Sequence, residues 1–283
     1  MELEQEVKAR EADLFTYRQQ LAEVNKQLES LIGKVSFEIK TALAIQKLLV
    51  PTEMPNISGI EFSYKFVPSM VRGGDYFDIF EHEDKFRFGL IVESSSGHGM
   101  SSLLLSVLLK LSAQMEARKG GQPHEIVNFI YNELHVNLAN NESADLFYAV
   151  IDRRSFEMKF CALGVCSAYY QDFETGEIKV LKRESTPLSL EFKTLDASSK
   201  LVLNPRDRII IATRGIAEAQ NISGEFFGEE RLINAIHAAP RRGVHELRND
   251  VLIKLNKFTS GCEVQRDQTL LVAEVKDRVI KLA

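Results

Sequence analysis

Three things are scarce in this chain of 283 residues: cysteine, charge of one sign and long apolar runs. Each shortage closes a class of function. Cys161, Cys166 and Cys262 are odd in number, lack C-x-x-C spacing and have no neighbouring histidines, which argues against a disulfide framework and a zinc site. Reduced thiols in a cytoplasmic protein are the expectation. Lysine and arginine number 35 against 40 aspartates and glutamates, giving a formal charge of -5 with no long run of either sign. Charge alone therefore draws the chain neither to nucleic acid nor to an anionic membrane surface. The apolar stretch from Leu103 to Leu111 is broken by Ser106 and Lys110, and residues 1–20 are charged, so neither a membrane span nor a signal peptide is expected. A protein or small-molecule partner remains.

What is present is a globular composition with 45% hydrophobic residues, enough for a substantial core. Residues 3 to 35 carry a seven-residue apolar repeat in two registers. Val7, Leu14, Leu21, Leu28 and Val35 form one; Leu3, Tyr17, Val24 and Leu31 form the other, broken only at Arg10. Spacing that alternates three and four, with Glu, Lys and Gln elsewhere, predicts a parallel coiled-coil homodimer through this segment. The competing reading has the helix fold back on its own domain, for which the two-position stripe is narrow. From Phe37 to Val50 the apolar positions crowd together, and Pro51 ends the helix. The division expected is a coil and transmitter helix over 1–50 and a globular domain over 51–283.

Beyond Pro55 short β-branched and aromatic runs predict strands over 60–67, 85–92, 146–152, 158–163, 168–173, 177–181, 200–203, 208–213 and 269–275. Apolar faces of period 3.6 predict helices over 103–117, 124–138, 229–238 and 244–258. Hairpin-linked strands with paired helices indicate an α+β fold in which helices flank two antiparallel sheets.

Four segments carry the chemistry: Gly73-Gly74-Asp75-Tyr76-Phe77-Asp78, Ser94-Ser95-Ser96-Gly97-His98-Gly99, Thr213-Arg214-Gly215-Ile216-Ala217-Glu218 and Arg266-Asp267-Gln268-Thr269. In order and spacing they resemble the SpoIIE/RsbU branch of the metal-dependent (PPM) serine/threonine phosphatases. Ala44-Ile45-Gln46-Lys47-Leu48-Leu49-Val50-Pro51 resembles the helix that precedes the catalytic domain in that branch, and Gly228-Glu229-Glu230-Arg231-Leu232 a motif that follows the third segment. The resemblance runs from about Ala44 to Val275 and implies the α-β-β-α sandwich of that family. It also implies a pair of Mn²⁺ or Mg²⁺ ions held by one aspartate from each segment.

Most of those aspartates are missing here. Asp75 matches one, whereas Ser94, Arg214 and Arg266 occupy the other three positions. Hard divalent cations need oxygen ligands, mostly carboxylates. A serine hydroxyl is a weak neutral ligand, and arginine is a fixed cation. Glu93 and Asp267 are poor substitutes, since Glu93 should point to the opposite face of its strand and Asp267 is the second aspartate of a pair whose first is lost. No metal or other cofactor is therefore expected.

The simplest structural reading has Asp75, Arg214 and Arg266 fill the old metal cavity as one buried ion cluster. A sharper reading adds an anion or phosphate site built from Arg214, Arg266, Ser96, Gly97 and His98, where arginines and a helix start converge. His98, Asp78 and Glu218 are read as structural. These residues lead to a pseudophosphatase that binds a protein partner. By resemblance that partner is a phosphorylated STAS-type anti-sigma-factor antagonist, or a phosphatase or kinase with which the chain competes. The alternatives are a weak Mn- or Mg-dependent phosphoserine/phosphothreonine phosphatase using Asp75, Glu93 and Asp267, and a dimeric scaffold. The coil makes one direct prediction: light scattering at micromolar concentration gives the mass of a dimer, and a monomeric mass removes the pairing of residues 3–35.

Overall fold

The structure is a computed structural model that describes residues 2–51, 53–69, 73–96, 100–181 and 186–276. The chain divides into two compact units, Met1–Ala44 and Ile45–Ala283. Helix α1 (Glu2–Leu49) is continuous, as expected from its lack of internal Pro, and Pro51 follows its end. Along the first unit the heptad residues from Leu14 to Val35 are exposed. No helix among the described residues is long and apolar enough to cross a membrane.

The second unit is built on two five-stranded antiparallel sheets. One has the order β1-β10-β9-β6-β7, from β1 (Ile60–Val67), β10 (Gln268–Val275), β9 (Arg208–Ala212), β6 (Ser167–Gln171) and β7 (Ile178–Val180). The other has the order β2-β3-β4-β5-β8, from β2 (Asp75–Glu81), β3 (Arg87–Ser96), β4 (Ser143–Asp152), β5 (Glu157–Leu163) and β8 (Ser199–Val202). Helices α2 (Met100–Glu116) and α3 (Pro123–Leu134) pack on the second sheet, and α5 (Gly228–Ala238) and α6 (Val244–Phe258) cover the first. This is the expected α-β-β-α sandwich.

Side-chain alternation explains the layers. In β9, Ile209 and Ile211 enter the core between the sheets, where they meet Phe77, Leu90 and Phe147 of the opposite sheet. Ile210 and Ala212 face the other way and pack under α5 and α6 with Leu232, Leu247 and Val251. Both faces of β9 are buried, so it reads as an unbroken apolar run. Strand β2 was not expected, because its acidic Asp75, Asp78 and Glu81 mask the alternation of Phe77 and Ile79 into the core. The register of β2 on β3 places Asp75 opposite Ser94 and Tyr76 opposite Glu93. That pairing brings the first two sequence motifs together at one end of the sandwich.

Candidate functional site

Asp75 opens β2 and points into the gap between the sheets. Ser94 Oγ, directly across the β2–β3 ladder, donates to Asp75 Oδ1 at 2.7 Å. Asp75 Oδ2 receives two hydroxyls from the other sheet, Thr213 Oγ1 at 2.6 Å and Thr269 Oγ1 at 2.8 Å. Thr213 is in turn held by the Thr269 backbone N–H, which donates to its Oγ1 at 2.9 Å. Three hydroxyls thus fix one carboxyl and join the two sheets through it.

Asp267 is committed differently. Its Oδ1 accepts from Ser69 N at 2.7 Å and Gln46 Nε2 at 3.2 Å, and its Oδ2 from Gly74 N at 2.9 Å and Asp75 N at 3.3 Å. Glycine is required at 74, where φ is +131°, and a side chain there would crowd Ser95. Asp267 therefore ties Gln46 near the end of α1 to the chain entering β2. Burial pushes the Asp75 carboxyl up to about 7, helped by the neighbouring Asp267 charge and opposed by the three hydroxyls. Burial also raises Asp267, against which its backbone N–H donors act.

The arginines do not join Asp75, which corrects the expectation of a single Asp75–Arg214–Arg266 cluster. Arg214 is turned instead toward Asp145 of β4, a fully buried residue, with Nε–Oδ2 at 2.8 Å and Nη2–Oδ1 at 2.9 Å. Burial raises the Asp145 carboxyl and Arg214 pulls it back. Both oxygens bond a guanidinium that cannot lose its proton, so the pair is ionic. Glu218, at the end of the short helix α4 (Arg214–Ala217), lies between the two arginines. Its Oε2 is 2.9 Å from Arg266 Nε and its Oε1 is 3.9 Å from Arg214 Nε. Gly215 permits this arrangement, since a Cβ there would lie 2.0 Å from the Asp267 carbonyl oxygen.

Glu93 points to the helix-covered face, opposite to Ser94. Its carboxyl is wholly buried and takes the Ser95 hydroxyl on Oε1, while Oε2 has no hydrogen-bond partner among the described residues. Burial pushes it well above the usual carboxylate range. Asp78 bonds the Ile79 N–H at 2.9 Å. Ser96 ends β3 opposite Ser143, half-buried, while Gly97 and His98 lie outside the described residues. Sequence reasoning missed Asp145 and the roles of Thr213, Thr269 and Gln46. The threonines and the glutamine stood inside the quoted motifs, and Asp145 was a lone charge in an otherwise uncharged run, Ala144-Asp145-Leu146-Phe147.

A two-metal centre does not fit these residues. Asp75 has its oxygens occupied by hydroxyls, Asp267 is saturated by N–H donors, Asp145 is neutralised by Arg214, and Glu93 faces away. Among the described residues no three His, Cys, Asp or Glu side chains are grouped to hold a metal ion. The hydroxyl-clamped carboxyl instead predicts a pH dependence. Its folded pKa is raised above the unfolded value, so its contribution is complete below about pH 4 and is lost as pH rises through about 7. Urea denaturation between pH 5 and 8 should show Asp75→Asn with a shallower decline than the parent, by at most about 1.4 kcal/mol per pH unit for one group. Identical slopes would contradict the assignment.

Comparison with known proteins places this geometry. The profile of Stage II sporulation protein E (SpoIIE) matches residues 84–276. Phosphoserine phosphatase RsbP of Bacillus subtilis (strain 168) is 23% identical over 244 residues, covering 84% of this chain and 58% of RsbP, so the chain spans little more than half of that relative. The solved SiaA-PP2C domain of Pseudomonas aeruginosa superposes with a TM-score of 0.69 at 21% identity, covering 87% of this chain and 98% of that one. A structure of RsbU and RsbW domains from Mycobacterium tuberculosis gives a TM-score of 0.66 at 18% identity, covering 80% of this chain and 64% of that one. With well over half of its length matched by the family profile and the sandwich shared with solved PP2C domains, the chain belongs to the SpoIIE family.

Proposed function

We propose that this SpoIIE-family chain has given up two-metal phosphoester hydrolysis and acts in signalling by binding a protein partner, as a homodimer paired through residues 3–35. One observation supports this most strongly. Of the four positions where the family delivers aspartates, one holds a carboxyl clamped by three hydroxyls, one a serine that provides one of those hydroxyls, and two hold arginines.

The chemistry explains why that substitution is decisive. A phosphate monoester repels nucleophiles by its own charge, and the two cations of this enzyme class overcome this while acidifying a bridging water. Guanidinium groups supply positive charge but do not acidify a water as a metal does, and they repel incoming divalent ions. The groups left at this site can hold an anion and orient it, but none is placed to activate water. The exposed heptad face of α1 favours a helical partner of the same kind. By family resemblance the bound protein is a phosphorylated STAS-type antagonist or a signalling enzyme acting on one.

Calorimetric titration with MnCl₂ should show no saturable site up to millimolar metal, and the parent protein should release no phosphate from a phosphoserine peptide. The triple variant Ser94→Asp, Arg214→Asp, Arg266→Asp should gain measurable Mn²⁺ affinity. Manganese-dependent turnover by the parent that disappears in Asp75→Ala would overturn the reading.

A further inference from the structure

Helix α2 is apolar on two sides. One side packs on the second sheet through Leu103, Leu109 and Ala113, all of them buried. On the other, Leu104, Leu108, Leu111 and Met115 stand in solvent at 51%, 39%, 53% and 71% exposure. Steps of four, three and four residues set these side chains in one stripe along the helix. That is the a/d spacing of a two-heptad coiled-coil seam. A helix that is apolar all round belongs in an interior, and this chain by itself covers only one side of α2.

The surroundings of the stripe fix what fits it. The helix has two charged residues, and both are engaged within the chain. Lys110 donates to the Leu48 carbonyl and lies 5.6 Å from the centre of the Tyr76 ring, while Glu116 pairs with Lys119 at 2.6 Å. A twofold contact sets a surface against itself, so a stripe without charge pairs with its own copy at no cost in like-charge repulsion. The spacing calls for a second helix of the same period. The Lys110 contact also sets α2 against the last turn of α1, where Leu48 is itself exposed. In a dimer paired through residues 3–35, only the stretch of α1 after Val35 separates the two copies of that turn from the coil.

We infer that the outer face of α2 is a second contact between two copies of this chain. Leu104, Leu108, Leu111 and Met115 of one copy interdigitate there with the same residues of the other about a twofold axis. Interfaces between freely diffusing proteins bury about 1,200 Å² or more. Four side chains per copy cover less, so the contact rests for its strength on the coil proposed above, which holds the copies at high effective concentration. The surface itself is separate from the coil. Leu108 and Leu111 lie in the middle of the stripe and so come nearest the axis, whichever way the two helices run.

The test places one cysteine at a time in the full chain carrying Cys262→Ser, because Cys161 and Cys166 are buried and Cys262 is partly exposed. Leu14→Cys reports on the coil and Leu111→Cys on α2. Under native conditions a short bismaleimide should join two chains through either. In sedimentation, Leu111→Glu should raise the dissociation constant of the dimer at least tenfold. Ile222→Glu, which changes an apolar residue exposed elsewhere, should leave it as in the parent. Circular dichroism identifies any variant that fails to fold, and if Leu111→Glu does so, the linkage results decide. Linkage through Leu14→Cys without linkage through Leu111→Cys, or a folded Leu111→Glu that dissociates like the parent, overturns the α2 contact and leaves the coil standing. Linkage through Leu111→Cys alone supports the α2 contact and removes the pairing of residues 3–35. Linkage through neither removes both.

Discussion

The Asp75 carboxyl, held by Ser94 from its own sheet and by Thr213 and Thr269 from the other, is the contact around which this end of the sandwich is organised. A buried carboxyl without partners carries a large desolvation cost. In a two-metal enzyme, cations offset that cost. Here hydroxyl donors do so, and a raised pKa lets the group take a proton when they do not suffice. Because the donors come from β3, the end of β9 and the start of β10, the solution also closes the gap between the sheets. The three hydroxyls thus give the buried carboxyl partners from both sheets.

The surrounding charges follow from the same logic. An arginine beside an empty carboxylate cavity would be expected to enter it, yet Arg214 is drawn to Asp145 and Arg266 to Glu218. Each cation thus has a partner other than Asp75, and the site divides into a polar clamp and two ion pairs. The Arg214 pair, whose Asp145 is fully buried, adds little net stability, since desolvation offsets much of its attraction. The effect of both pairs is on orientation: each guanidinium is held by a carboxylate and turned away from Asp75.

Much of the sandwich was legible in the sequence, and the reasons are physical. β9 and β10 are buried on both faces and so appear as β-branched and aliphatic runs, while α6 starts and ends where its apolar period does. β2 was hidden because three acidic residues interrupt its apolar alternation. The site was legible in its positions and less so in its pairings. Ser94 opposite Asp75 is a product of strand register, which local periodicity does not reveal. Asp145 lies 69 residues before the arginine it neutralises, and only the three-dimensional fold brings them together. Thr213 and Thr269 stood in view inside recognised motifs, but only the fold brings their hydroxyls to Asp75.

The most direct test of whether a hydroxyl clamp has replaced a metal centre is anomalous diffraction at the manganese edge from crystals grown in excess Mn²⁺. The account predicts no anomalous peak beside the Asp75 carboxyl, with Ser94, Thr213 and Thr269 still within hydrogen-bond distance of it. A peak coordinated by Asp75, with those hydroxyls displaced, would contradict it.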